Sequence, residues 1–125
     1  MTYILLSVAQ VEDIHDMVLN PGELAGRARD KSLEGALARV DNRLVYGMIA
    51  DVFDLAAAYA QAIATGHWFN DANKRTAYRV MLICLAINDT RISHETREIG
   101  DLIIRLAQGH MDSGELADWL RGKAD

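Results

Sequence analysis

Cysteine is nearly absent. Cys84 is the only one in 125 residues, so no disulfide framework can form within the chain. It sits in the apolar run VMLICLAI and reads as a small buried hydrophobe rather than a reactive thiol. Proline is as scarce, with Pro21 alone, and aromatics make up 6%. That argues against a sheet-rich fold and against low complexity. Basic charge is short too: 13 Lys and Arg stand against 18 Asp and Glu, for a net charge of -5. A nucleic-acid binder usually carries a basic face, so DNA binding by this chain itself is not expected. The longest apolar run, Val80 to Ile87, is far shorter than the roughly 20 residues that span a bilayer. No membrane association is expected. The start, MTYILLSVAQVEDIHD, has no basic segment and too short an apolar run for a signal peptide. The expected location is the cytoplasm. His15 and His94 form no metal pattern, since there is neither H-E-x-x-H nor a cysteine–histidine cluster, and no structural zinc is expected.

What is present is apolar and helix-forming. Half the residues are hydrophobic, enough for a core, and the length suits a single domain over residues 1–125. Ser7 with Gln10 resembles a capping box, and Val8, Val11, Ile14 and Val18 follow at helical spacing. His15 reads as a boundary residue of that helix. Asn20-Pro21-Gly22 stops it, and GELAGRARDKS reads as a polar loop. Leu33, Ala36, Leu37, Val40 and Leu44 mark a second helix. From Val45 to Thr65 the pattern is apolar on most sides, as in a helix at the centre of a bundle, and Gly66 is placed to end it. Another largely apolar helix runs to Ile87, and Asn88-Asp89 turns the chain. Residues 90–93 read as briefly extended. A helix from Glu95 to Gln108 follows, closed by Gly109. Asp112 with Glu115 forms a second capping box, for a last helix ending near Gly122. The fold class is all-α: a compact helical bundle.

Between the two central helices lies HWFNDANKR, His67 to Arg75. A polar loop between core helices is held rigidly, as a site needs. Asn70 or Asp71 is placed to cap the following helix, whose first turn is a ready anion site. Lys74 and Arg75 sit in that turn, at the end where the helix dipole disfavours cations. A sequence that places two cations there is suited to hold an anion, and phosphate is the obvious one. Asp71 offers the carboxylate oxygen that Mg²⁺ takes alongside substrate phosphates. His67, as an imidazole, suits general-base work on a hydroxyl. Taken singly, His67 reads as a helix-end polar residue, Asp71 and Asn73 as caps, and Trp68 and Phe69 as core anchors. The combination is what points to phosphate transfer.

These residues resemble the motif of the Fic/Doc family, roughly H-x-F-x-D/E-G/A-N-G/K-R. His67, Phe69, Asp71, Ala72, Asn73, Lys74 and Arg75 fall in register. Ala before Asn and Lys after it are similar to the Doc branch, the toxins of Doc–Phd-type toxin–antitoxin pairs, and the stretch DKSLEGALARV to ATGH is similar to it as well. The resemblance implies an all-α Fic fold with the motif loop between two central helices. It also implies a bacterial or prophage-encoded toxin that uses ATP and Mg²⁺ to phosphorylate a threonine of elongation factor Tu and halt translation. AMP-transferring members carry glycine where Lys74 stands. A lysine side chain there fills the space beside the phosphates and favours a reversed nucleotide pose. By resemblance His67 takes the proton of the target hydroxyl, Asp71 holds Mg²⁺, Asn73, Lys74 and Arg75 bind phosphate, Arg75 steadies developing charge, and Phe69 anchors the loop.

The sequence departs from the pattern in places. Trp68 replaces a proline. Tyr78 stands where a second arginine is usual, and Arg79, one residue later, is not assigned to nucleotide. No Ser or Thr is followed four residues on by Glu, so the inhibitory segment of some Fic proteins is missing. The resemblance implies control by a separate Phd-like antitoxin, whose C-terminal helix enters a groove of the toxin. The loop from Gly22 to Asp30 is assigned to target contact. Three rival readings remain: an AMP transferase on the same fold, an all-α ribonuclease toxin built on Arg105 and His110, and a non-enzymatic partner of the antitoxin. The ribonuclease spacing is loose, and Leu106 stands where a polar residue is usual.

Overall fold

Six α-helices order the computed structural model, which describes residues 2–29 and 31–125. They are α1 (Val8–Val18), α2 (Leu33–Val45), α3 (Val52–Gly66), α4 (Asn73–Ile87), α5 (Thr96–Ala107) and α6 (Ser113–Gly122). The bundle is all-α. Among the described residues two isolated antiparallel bridges, Arg27 with Phe69 and Ile92 with Ala124, are the only β-type pairing. Both expected capping boxes form: Ser7 and Gln10 open α1, and Asp112 and Glu115 open α6. Among the described residues no helix is long and apolar enough to cross a membrane.

α3 is the hub, packed against α2, α4, α5 and α6. Its core face is built from small residues, Ala56, Ala57, Ala58, Ala60 and Ala64, with Leu55, Tyr59 and Ile63 between them, all buried. Small side chains let neighbouring helices approach closely, and the larger ones fill the remaining space at the density of protein interiors. α4 answers with Ala77, Val80, Met81, Cys84 and Leu85. Tyr59 is fully buried, and its hydroxyl oxygen accepts the Leu6 N–H at 3.1 Å, which ties the N-terminal segment to the hub. Arg121 of α6 clamps the start of α3 through Asp51 (2.7 Å) and Asp54 (2.7 Å).

One expected boundary moves, and Val45 belongs to the end of α2. The helix read from Val45 to Thr65 begins only at Val52. Gly47, at φ +72°, turns the chain out of α2, and the Asp51 side chain accepts the Asp54 N–H at 2.9 Å to start α3 afresh. The apolar residues read as continuous helix there, Val45, Tyr46 and Met48, are instead exposed, while Ile49 turns inward.

Candidate active site

The chain leaves α3 through an unusual corner. Gly66 belongs to the helix, and the left-handed residue that ends it is His67, at φ 52° and ψ 43°. Gly66 is therefore not the terminator expected. Its role is space: a Cβ there would lie 1.8 Å from Trp68 Cε2, because the indole lies across it. The Trp68 Nε1–H donates to Ala62 O at 2.6 Å, locking the ring over the last turn of α3. The result lifts His67 to the surface in a backbone conformation that non-glycine residues seldom adopt, a feature that clusters at functional sites.

The rest of the motif is held from three sides. Phe69 is 3% exposed, and its backbone N–H and C=O are both taken by the Asn73 side chain, at 3.1 and 2.9 Å. From the loop after α1, the Ala28 N–H donates to Trp68 O at 2.8 Å, and Asn70 meets Gly26. This loop, the one read for target contact, supports the motif from behind; Asp30, at its end, lies outside the described residues. The Leu24 N–H donates to Asp71 Oδ2 at 2.8 Å.

The capping expectation is corrected. Neither Asn70 nor Asp71 caps α4. The N-cap is Ala72, left-handed at φ 66°, and it makes no side-chain cap bond. The Asp71 carboxylate is drawn to Leu24, and Asn70 reaches toward carbonyls of residues 25–27, so neither is aimed at the helix. The first turn of α4 therefore presents N–H groups that no cap occupies, with the partial positive charge of the helix end.

His67, Asp71, Asn73, Lys74 and Arg75 share the wall of one cavity of about 350 Å³, with Ala64, Asn70 and Ala72. Among the described residues no protein group bonds the His67 imidazole or the Lys74 ammonium, and both are exposed. Arg75 is engaged. Its two terminal nitrogens fork onto Glu23, at 2.8 and 2.5 Å, and one also reaches Val18 O. The guanidinium, helped by the Asn20 N–H, holds the Glu23 carboxyl down at about 2, and Glu23 in turn raises the pKa of Arg75. A carboxylate thus sits on Arg75 in the two-oxygen geometry that a phosphate would use. Arg79 leans over the Tyr78 ring, 6.0 Å from its centroid.

A second cavity, of about 480 Å³, opens where α1, α4 and α5 meet, and it shares Lys74 and Arg75 with the first. Its wall is largely apolar, with Met17, Val18, Tyr78, Ile103 and Ile104. Arg105 and His110, the ribonuclease pair, are exposed, and the turn that ends α5 lies between them. They do not share a helical face.

Two participants were not foreseen. Glu23 sits in a polar loop with no periodicity to mark it. His15, read as a boundary residue, is 1% exposed. The signal existed, for His15 lies four residues after Val11 and next to Ile14, on the apolar stripe of α1.

Residues 5–85 match the family described as "Fic/DOC family". Over 117 residues the chain is 35% identical to the "Protein kinase doc" of Escherichia phage P1, covering 93% of this chain and 92% of that protein.

Proposed function

The chain belongs to the Fic/DOC family, and from that premise we propose that it is a toxin kinase, transferring the γ-phosphate of ATP to a threonine hydroxyl of elongation factor Tu. The observation that carries this reading is Lys74. It stands free at the uncapped start of α4, in the same cavity wall as His67 and Asp71. Its ammonium and the open N–H groups form an anion cradle, and its side chain takes the space that a glycine would leave for close approach of the α- and β-phosphates. The name of the phage relative as a protein kinase points the same way.

Each residue has a part. His67 accepts the proton of the attacking hydroxyl; its exposure lets a protein substrate reach it. Asn73 fixes the loop with its side chain and offers phosphate its backbone N–H. Arg75 exchanges one oxygen pair for another, Glu23 for phosphate, and steadies charge as the phosphoryl group moves. Mg²⁺ enters with ATP as substrate. Among the described residues no group of three or more His, Cys, Asp or Glu could hold a metal alone. Asp71 fits one Mg²⁺ that is shared with phosphates, since Leu24 binds only one of its carboxylate oxygens.

The apolar cavity between α1, α4 and α5 suits the Phd-like antitoxin. An amphipathic helix laid there would cover Lys74 and Arg75, and the cations at its rim, Arg79 among them, favour an acidic helix. Expression of the toxin in bacteria, followed by mass spectrometry of elongation factor Tu, tests the reading. A phosphorylated threonine is the expected product. An AMP-modified residue would favour the transferase on the same fold, and an unmodified factor in arrested cells would refute the proposed target.

A further inference from the structure

The structure assigns to His15 the role of a positioning residue that sets the conformation of the catalytic loop from beneath. His15 is buried, and its ring lies flat on Phe69, with centroids 3.8 Å apart and planes 8° from parallel. Its Nε2 is 2.7 Å from the backbone oxygen of Asp71. A carbonyl oxygen only accepts, so Nε2 carries the proton and donates. One side chain therefore grips the motif twice, through the ring of Phe69 and the carbonyl of Asp71.

The consequence lies in the next residue. The Asp71 carbonyl and the Ala72 N–H belong to one rigid peptide plane. Holding that carbonyl restricts rotation at Ala72, which is left-handed at φ 66° without being glycine. An alanine does not keep that conformation unless its surroundings impose it. Ala72 is also the N-cap of α4, and its own carbonyl accepts from the Thr76 backbone at 2.9 Å and the Thr76 hydroxyl at 2.8 Å. His15 thus fixes where α4 begins, where its open N–H groups point, and where the Asp71 carboxylate stands. His15 touches no substrate; it acts through Asp71 and Ala72. Asp16, on the same helix, is 3.6 Å from Nδ1, too far for a direct hydrogen bond.

His15→Phe keeps a flat ring against Phe69 but removes the donor. His15→Gln keeps a donor but loses the ring. The Ala72 amide and Cα shifts report the left-handed conformation by NMR, without any need for activity. In His15→Phe, with helical content retained, these shifts are expected to move toward averaged values. The kcat for phosphate transfer should fall about tenfold, the worth of one buried hydrogen bond, while KM for the protein substrate is unchanged. His15→Gln should recover part of both. Unchanged Ala72 shifts and kcat in His15→Phe would overturn the role, as would a Gln variant no better than Phe. If His15→Phe fails to fold, the tautomer of the folded wild type decides. A proton on Nε2, seen in long-range ¹H–¹⁵N spectra, is required, and one on Nδ1 alone overturns the assignment. The kinetic arm rests on the phosphotransfer reading. A wild type that transfers nothing sinks that reading, while the Ala72 shifts still judge His15.

Discussion

Gly66→Ala should destabilise the protein, against the usual expectation for a helical glycine. Alanine is favoured over glycine inside a helix by about 0.5–1 kcal/mol, and Gly66 has no positive φ that would forbid the change. The obstacle is Trp68. The new Cβ would lie 1.8 Å from Cε2 and 2.1 Å from both Cζ2 and Nε1, inside the indole. The ring must swing away, breaking its 2.6 Å bond to Ala62 O. Losing that bond costs about 1 kcal/mol, and repacking around a forced side chain costs about 1–3 kcal/mol. The balance is a loss of about 2 kcal/mol, or roughly 6–10 °C in Tm for a chain of this size. Differential scanning calorimetry of Gly66→Ala, Trp68→Ala and the double variant gives the test. The two losses should be strongly non-additive, because once the indole is gone the Cβ meets no obstacle. A Gly66→Ala protein that melts higher than wild type, or losses that simply add, would refute the reasoning.

Other consequences are as direct. His67→Ala should abolish transfer while leaving Tm and antitoxin binding unchanged, because its imidazole is exposed and bonded to nothing among the described residues; loss of folding in a circular-dichroism melt would show that His67 serves packing. Glu23 should titrate near 2 by carboxyl ¹³C NMR and return toward its usual 4.5 in Arg75→Ala. Because the folded value is the lower one, the stabilising contact is complete above about pH 4.5 and is lost only as pH falls toward 2. A midpoint near 4.5 in wild type would mean that the Arg75 fork is empty in solution. Cys84 is fully buried and its thiol is pushed up to about 12 by burial, so thiol reagents should modify it only on unfolding; fast labelling of the native protein would contradict that burial.

How much of this was legible in the sequence depends on the kind of signal. The capping boxes at Ser7 and Asp112 are local chemistry within four residues, and both form. The central place of α3 followed from an apolar pattern on most sides. The start of α3 falls seven residues later than the apolar pattern indicates, because Val45, Tyr46 and Met48 extend the apolar count although they face solvent. The left-handed turn at Gly47 outweighs that pattern. At the site, His67, Asp71, Asn73, Lys74 and Arg75 line one cavity, while Phe69 lies in the core. Asp71 was misjudged as a cap for α4 because Leu24, distant in sequence, supplies a competing N–H. The Glu23 grip on Arg75 spans 52 positions, and no local pattern encodes it. Gly66 was identified as special, but for the wrong reason. Its need is for space beneath Trp68, not for backbone freedom.

The most direct test of the kinase reading is to mix the protein with elongation factor Tu, Mg²⁺ and ATP labelled at the γ- or the α-phosphate, beside a Lys74→Gly variant. Transfer of the γ label alone by the wild type is the expected result, with the variant shifting toward the α label. Transfer of the α label by the wild type would contradict the reading of Lys74 and make the protein an AMP transferase.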